Sequence, residues 1–468
     1  MKLTDPDRLF PAEPRTRFLA RALYEPIAGL PIISPHGHCD ARWFAENERF
    51  PDPAQLFIVP DHYVFRMLVS HGVTMDELGL PQVDGTAPDV DPRDIWRRFA
   101  ENYHVFRGTP SAMWLDHSFE HVFDVTERLN ADTADAIYDH IDGKLSQDDY
   151  RPRALYDRFN IEVLATTDGP MADLGWHRQT AASGWTGRVI TTYRPDAVVD
   201  PETAGFAKNL KAFAKITGED TSTWEGYLKA HRVRRAFFKK FGATASDHGH
   251  PTARTADLTT ADAAALFAKV RTGNGTPAEA EVFRGQMLTE MAKMSLDDGL
   301  VLQIHAGSKR NHSAKVFAAR GGNMGFDIPT ATDYVSALKP LLDLVGTEPD
   351  LTIIVFTLDE TTYSRELAPL AGVYPALRLG PPWWFHDSHE GITRFREMTT
   401  ETCGFYNTVG FNDDTRAFCS IPARHDVARR SDAAYLANLV ATGRLGLADA
   451  HEIAYDLTYR LAQQAYRL

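Results

Sequence analysis

Cysteine is scarce in this chain. Only Cys39, Cys403 and Cys419 occur among 468 residues, and no CxxC is present. Three thiols cannot all pair, so neither a disulfide framework nor a cysteine zinc site is expected. Long apolar runs are missing as well, which argues against a membrane span. The opening stretch MKLTDPDRLFPAEP lacks the apolar centre of a secretory signal, so the cytoplasm is the expected location. Basic charge is in deficit: 50 Lys and Arg stand against 63 Asp and Glu, a formal net charge of −13. Such a chain is poorly suited to nucleic acid or to anionic membranes. An anionic substrate would need a local cluster of arginines. There is no Walker loop, no GxGxxG and no Gly-x-Ser-x-Gly, which weighs against nucleotide binding and serine hydrolysis. No internal repeat or low-complexity tract is found.

What is present suits a soluble enzyme with a sizeable core: 43% hydrophobic and 24% charged residues. Eight short β-rich runs end in polar or glycine residues. They are LPIISPHGH (30–38), IEVLATTDGP (161–170), RVITTYRPD (188–196), GATASDHG (242–249), GLVLQIHAG (299–307), LTIIVFTLDE (351–360), ALRLGPPWWF (376–385) and YNTVGFNDDTR (406–416). Helical patterns separate most of them. TPAEAEVFRGQMLTEMAKMSLDDG and TATDYVSALKPLLDLV are the clearest amphipathic helices. The alternation predicts an α/β fold, a distorted (β/α)8 TIM-type barrel. Residues 41–160 read as helices without a clear strand, a helical insertion after the first barrel strand within one catalytic domain spanning 1–468. The stretch 216–240 also reads as helix.

In such barrels chemistry sits at the C-terminal strand ends. The first run ends in His36-Gly37-His38. Alternate side chains of an extended backbone share a face, so both imidazoles can ligate one ion, and Gly37 allows close backbone approach. The eighth run ends in GFNDDTR, where Asp413 and Asp414 compete to complete a His-His-carboxylate set. Such a set keeps coordination positions open, as a catalytic metal needs. First and last strands meet where a barrel closes. His305 closes the fifth run and His248 the fourth, each a further ligand or a polar catalytic group. Arg194, Arg310 and Arg416 follow strand ends and are candidate anion clamps. PDHYVFRM brings His62, Tyr63 and Arg66 to the site only if the insertion covers the barrel mouth. GPPWWFHDS reads as two packing aromatics beside an exposed Asp387.

These residues resemble the amidohydrolase superfamily and, more narrowly, the uronate (glucuronate) isomerase family. The resemblance runs from end to end through HGH, PDHYVFRM, RFNIEVLATTDGPMADL, YRPD, ASDHG, LQIHAGSKRN, GFD (325–327), LAPLAGVYP, WWFHDS and DTRAFCSIPARHDVARR. The family's usual DYHCHLD reads SPHGHCD here, its LTDSR reads FNDDTR, and its WWFND reads WWFHDS. The surviving Asp-x-Arg spacing selects Asp414 over Asp413. In MWLDHSFE the histidine is displaced, so His117 is given no role.

The resemblance implies interconversion of D-glucuronate with D-fructuronate and of D-galacturonate with D-tagaturonate, through a cis-enediol. That reaction needs a base on C2–H and something to hold charge on the two oxygens. His36, His38 and Asp414 are expected to bind one divalent metal, Zn2+ by the donor set. Asp414, Tyr63 or both would move the proton. Arg194 would clamp the carboxylate. His62 and Arg416 would position hydroxyls or stabilise the enediolate, and Arg310 and His305 would join the substrate contacts. A tyrosine base would need its pKa lowered. The expected partner is a small uronic acid, and association into a homo-oligomer is compatible with the class. The rivals are a mononuclear metal-dependent hydrolase and a uronate sensor. A binuclear hydrolase is disfavoured, because strand four ends in SDHG without a lysine.

Overall fold

Seven of the eight apolar runs become strands of one parallel sheet. The computed structural model describes residues 3–468. Its strands are β1 (Ile32–Ser34), β2 (Ile161–Asp168), β3 (Arg188–Tyr193), β4 (Ala245–His248), β5 (Val301–His305), β6 (Ile353–Phe356) and β7 (Leu377–Leu379), adjacent in that order. Period-two alternation sorts their side chains. Along β5, Val301 packs with Ala245, Ile354, Val409 and Tyr466, whereas Leu302 and Ile304 pack outward on helices. The C-terminal helix Leu461–Tyr466 thus adds Tyr466 to the inward cluster, and Ala462 packs with Ile33, Val163 and Ile190.

The eighth run differs from its reading as a strand. It makes one parallel bridge, Leu379 to Thr408. Gly410 and Asp414 then take φ of 76° and 38°, which no extended ladder accommodates. The ring still closes, because the His38 N–H donates to the Thr415 carbonyl at 3.0 Å. The fold is a distorted (β/α)8 barrel. A small antiparallel ladder, Ser308–Lys309 with Ile328–Pro329, follows β5 and was not announced by the sequence pattern.

Helix α1 (Pro14–Tyr24) packs Ala20 and Leu23 against the C-terminal region. Only helices and loops lie between β1 and β2, among them α2 (His62–Ser70). Their aromatic core, including Phe57, Trp96, Phe99 and Phe119, packs on Ile32, Ile161 and Leu164 of the first two strands. Helix α3 (Pro277–Asp298) begins at a Thr276–Glu279 capping box and stops at Gly299 in the left-handed region, both written in the sequence. It is not amphipathic as expected. Gln286 and Thr289 are buried because the 255–258 segment crosses its outer face, with Leu258 N–H donating to Gln286 Oε1 at 2.8 Å and Thr289 donating to the Ala256 carbonyl at 2.6 Å. Helix α4 (Ile421–Ala441) is also buried along most of its length, directly behind the eighth run. No helix among the described residues is long and apolar enough to cross a membrane.

Candidate active site

The strand ends gather around one cavity of about 360 Å³, whose walls include His36, His38, Arg194, His305, Asp414 and Arg416. The 36–38 loop is fixed from both sides. Thr167 on β2 donates to the Gly37 carbonyl at 3.0 Å, and Thr415 accepts from His38 N–H. Both imidazoles then turn to one carboxylate. His38 Nε2 lies 3.1 Å and His36 Nε2 3.5 Å from Asp414 Oδ1. That oxygen is buried and has no hydrogen-bond donor of its own. Desolvation pushes His36 down to about 4, and it lowers His38 too. For Asp414, burial raises the pKa, but the two imidazoles more than offset it and the net shift is strongly downward. Neutral imidazoles beside an ionised carboxylate are the protonation states a divalent cation requires. The three ligand atoms lie within 4.8 Å of one another, so these residues fit a metal.

Asp413, the rival carboxylate, points away and accepts from His425 Nε2 of α4 at 3.0 Å. Space does not dictate Gly37: a Cβ there would meet the Ala165 carbonyl at 3.5 Å and the Thr415 carbonyl at 3.6 Å, ordinary contacts.

A second layer surrounds these three side chains. His305 stacks on His36, ring centroids 4.7 Å apart, and its Nδ1 is 2.5 Å from Asp247 Oδ1. Asp247 is fully buried. Desolvation opposes its charge, but His305 and Arg194 hold its carboxyl well below the usual range. An ionised Asp247 fixes the proton on His305 Nδ1, which leaves the buried, unpartnered Nε2 as an acceptor. Arg194 meets two carboxylates, Asp196 at 2.9 Å and Asp247 at 3.1 Å. Burial disfavours its charge, but these partners raise its pKa overall. Arg310 pairs with Asp327 at 3.2 Å and stacks over Trp384, while Arg416 donates to Asn323 at 3.2 Å. Desolvation lowers the pKa of both, and Asp414 partly restores that of Arg416. Three arginines therefore face the cavity of an acidic protein.

The insertion reaches the mouth, but His62 and Tyr63 line a neighbouring cleft of about 10 Å³ that shares Trp384 with the cavity. The Tyr63 hydroxyl donates to Asp387, 3.1 Å from each carboxylate oxygen. Desolvation, helped by Asp387, holds its pKa well above 10, the opposite of what a base needs. The expectation of an exposed Asp387 is corrected. It is buried and paired with Arg424 of α4 at 2.7 Å, and that guanidinium lies 3.7 Å over Trp114. His117 lies outside the cavity, against Arg8.

Sequence reasoning missed Asp196, Asp247 and His250, which stand beside the cavity arginines. One signal was available: His248-Gly249-His250 repeats the His-Gly-His triplet at a second strand end.

The glucuronate isomerase family model matches residues 15–466. A uronate isomerase of Rhizobium meliloti is 65% identical over 466 residues, covering 100% of this chain and 99% of that protein. The crystal structure of glucuronate isomerase from Caulobacter crescentus superposes with a TM-score of 0.98 at 58% identity, covering 99% of this chain and 97% of that one. The uronate isomerase structure from Thermotoga maritima gives 0.91 at 26% identity, with 99% of each chain covered. Barrel, strand-end histidines and carboxylate, and whole-length similarity agree: this chain belongs to the glucuronate isomerase family.

Proposed function

We propose that this enzyme interconverts D-glucuronate with D-fructuronate, and D-galacturonate with D-tagaturonate, in the cytoplasm, with one Zn2+ held by His36, His38 and Asp414. The observation that carries this reading is a His-His-Asp set and three arginines around a single 360 Å³ cavity. When bound, the ion supplies positive charge for the oxygens of the open-chain sugar.

The residues divide the remaining work. Arg194 binds the C6 carboxylate, held in place by Asp196 and Asp247. Its charge, stabilised by those partners, persists across the working pH range. Asp414 takes the proton from C2 and returns it to C1. Its left-handed backbone, φ 38°, is supported by the Asp413–His425 contact behind it. Arg416 and Arg310 stabilise the negative charge that develops on O1 and O2. His305 Nε2 accepts from a sugar hydroxyl. His62 borders Trp384, with ring centroids 5.5 Å apart, and supports the wall that bounds the sugar. Tyr63 has the same supporting part through Asp387, and the proton is assigned to Asp414 alone. The helical stretch 41–160 acts as part of the one catalytic domain, since it supplies this wall.

The test is direct. D-glucuronate and D-galacturonate are incubated separately with the metal-loaded enzyme and the products are followed by NMR and mass spectrometry. A ketose of unchanged mass is the expected product. A product heavier by one water, or binding without turnover, would overturn the isomerase.

A further inference from the structure

His36-Gly37-His38 has a twin outside the proposed metal centre. His248 is the last residue of β4, and Gly249 and His250 follow it. Asp196, just past β3, faces them. One ligand atom each from Asp196, His248 and His250 lies within 4.8 Å of the other two. The two rings are edge-on, with centroids 5.6 Å apart. His248 is 0% and His250 3% exposed, and none of their four ring nitrogens has a hydrogen-bond partner.

A structural histidine in a core finds a partner. His231, equally buried, has its Nδ1 2.9 Å from the Tyr193 hydroxyl and only its Nε2 unpartnered. Each buried polar nitrogen left unpaired carries a cost, and His248 and His250 leave four. Four together, beside a carboxylate, mark a place built for a ligand that accepts lone pairs.

The surrounding charge suits a cation. Arg194 is the nearest guanidinium, and it is shared between Asp196 and Asp247. Arg310 also approaches Gly249, but it is paired with Asp327, so two guanidiniums stand against three carboxylates and a negative surplus remains. The Arg194 bond falls on Asp196 Oδ2, and Asp196 Oδ1 receives only a 3.3 Å contact from Gly249 N–H. Its lone pairs remain available. Space for the arrangement is kept by Gly249, where a Cβ would lie 2.0 Å from Arg194 Nη2 and 3.0 Å from Arg310 Nη2. Asp196 and His250 border the large cavity, so an ion can enter from it.

We infer that Asp196, His248 and His250 form a second divalent-cation site, separate from His36, His38 and Asp414. Two imidazoles and one carboxylate take an ion of the zinc class, with a position left open toward the cavity. An ion of that class takes bonds of about 2.0–2.1 Å to such donors.

The test is stoichiometry, which does not depend on turnover. The full-length protein is stripped with a chelator and titrated with Co2+, followed by its visible absorption. Zn2+ is counted in parallel by elemental mass spectrometry after dialysis. Two equivalents per chain are expected for the wild type. His250→Gln should retain one and Asp414→Asn should retain the other, with different Co2+ spectra. The double variant should bind none. A single wild-type equivalent, lost in Asp414→Asn and kept in His250→Gln, would overturn the second site. Two equivalents that both survive His250→Gln would overturn it as well. A single equivalent lost only in His250→Gln would support this site and sink the first. Circular dichroism checks each fold. If His250→Gln does not fold, the near-isosteric Asp196→Asn takes its place, and the wild-type count already decides between one ion and two.

Discussion

Two glycines show how differently one residue type can be used. Gly37 and Gly249 each separate a pair of histidines at a strand end. A methyl group at Gly37 meets only ordinary contacts, whereas one at Gly249 collides with Arg194 Nη2 at 2.0 Å. Gly37→Ala should therefore keep the fold and most activity. Gly249→Ala should displace Arg194 and raise KM for uronate, with kcat less affected. Steady-state kinetics on both variants separates the two outcomes. Arg194→Ala should be more severe. Losing a charge-assisted contact costs about 2–3 kcal/mol, or a KM raised roughly 30- to 150-fold. Lysine should recover only part of it, because it lacks the planar fork. An unchanged KM in Arg194→Ala would remove the clamp. The histidine pair and the Asp-x-Arg spacing were legible because alternation places side chains on one face. The partner of Tyr63 was not. Asp387 is buried by a pairing with Arg424, 37 residues further along the chain, and no local pattern encodes that.

At the scale of elements, periodicity carried most of the information. The caps of α3 stand where Thr276, Glu279 and Gly299 announce them. Its burial on nearly every side does not follow from its own sequence, because a separate segment covers it. The eighth run looked like a strand up to Val409, but its glycine and polar tail favour turn geometry, and Asp414 sits in that irregular part. What holds the tail is α4. Arg424 supports Asp387, and His425 supports Asp413. Arg424→Met would keep the packing on Trp114 but leave Asp387 buried and unpaired. Removing one member of such a pair costs about 3–5 kcal/mol. Urea unfolding should show that loss, together with a fall in kcat. A variant as stable as the wild type would mean that α4 does not hold the site.

Several buried histidines are held in their neutral form across the molecule. Burial pushes His117 down to about 3, and His231, fully buried, also lies well below its ordinary value. The unfolded chain takes up these protons near pH 6.5, while the native state does not. Stability is therefore complete above that pH and is lost as the pH falls toward the depressed native values. Each such group costs about 2 kcal/mol by pH 5. The melting temperature should fall between pH 7 and 5, and His117→Gln should flatten that slope. An unchanged slope would mean that His117 does not titrate on unfolding. The barrel was readable from eight spaced runs. Its closure was not, because it depends on His38 N–H meeting the Thr415 carbonyl across 377 residues of chain. That closure brings His36 and His38 to Asp414, and the account depends on that meeting. The decisive measurement is ketose formation from D-glucuronate by the wild type and Asp414→Asn, each metal-stripped and then given zinc. Activity that vanishes on stripping, returns with zinc in the wild type and never returns in Asp414→Asn is the predicted result. Turnover that survives complete metal removal, or persists in Asp414→Asn, would contradict it.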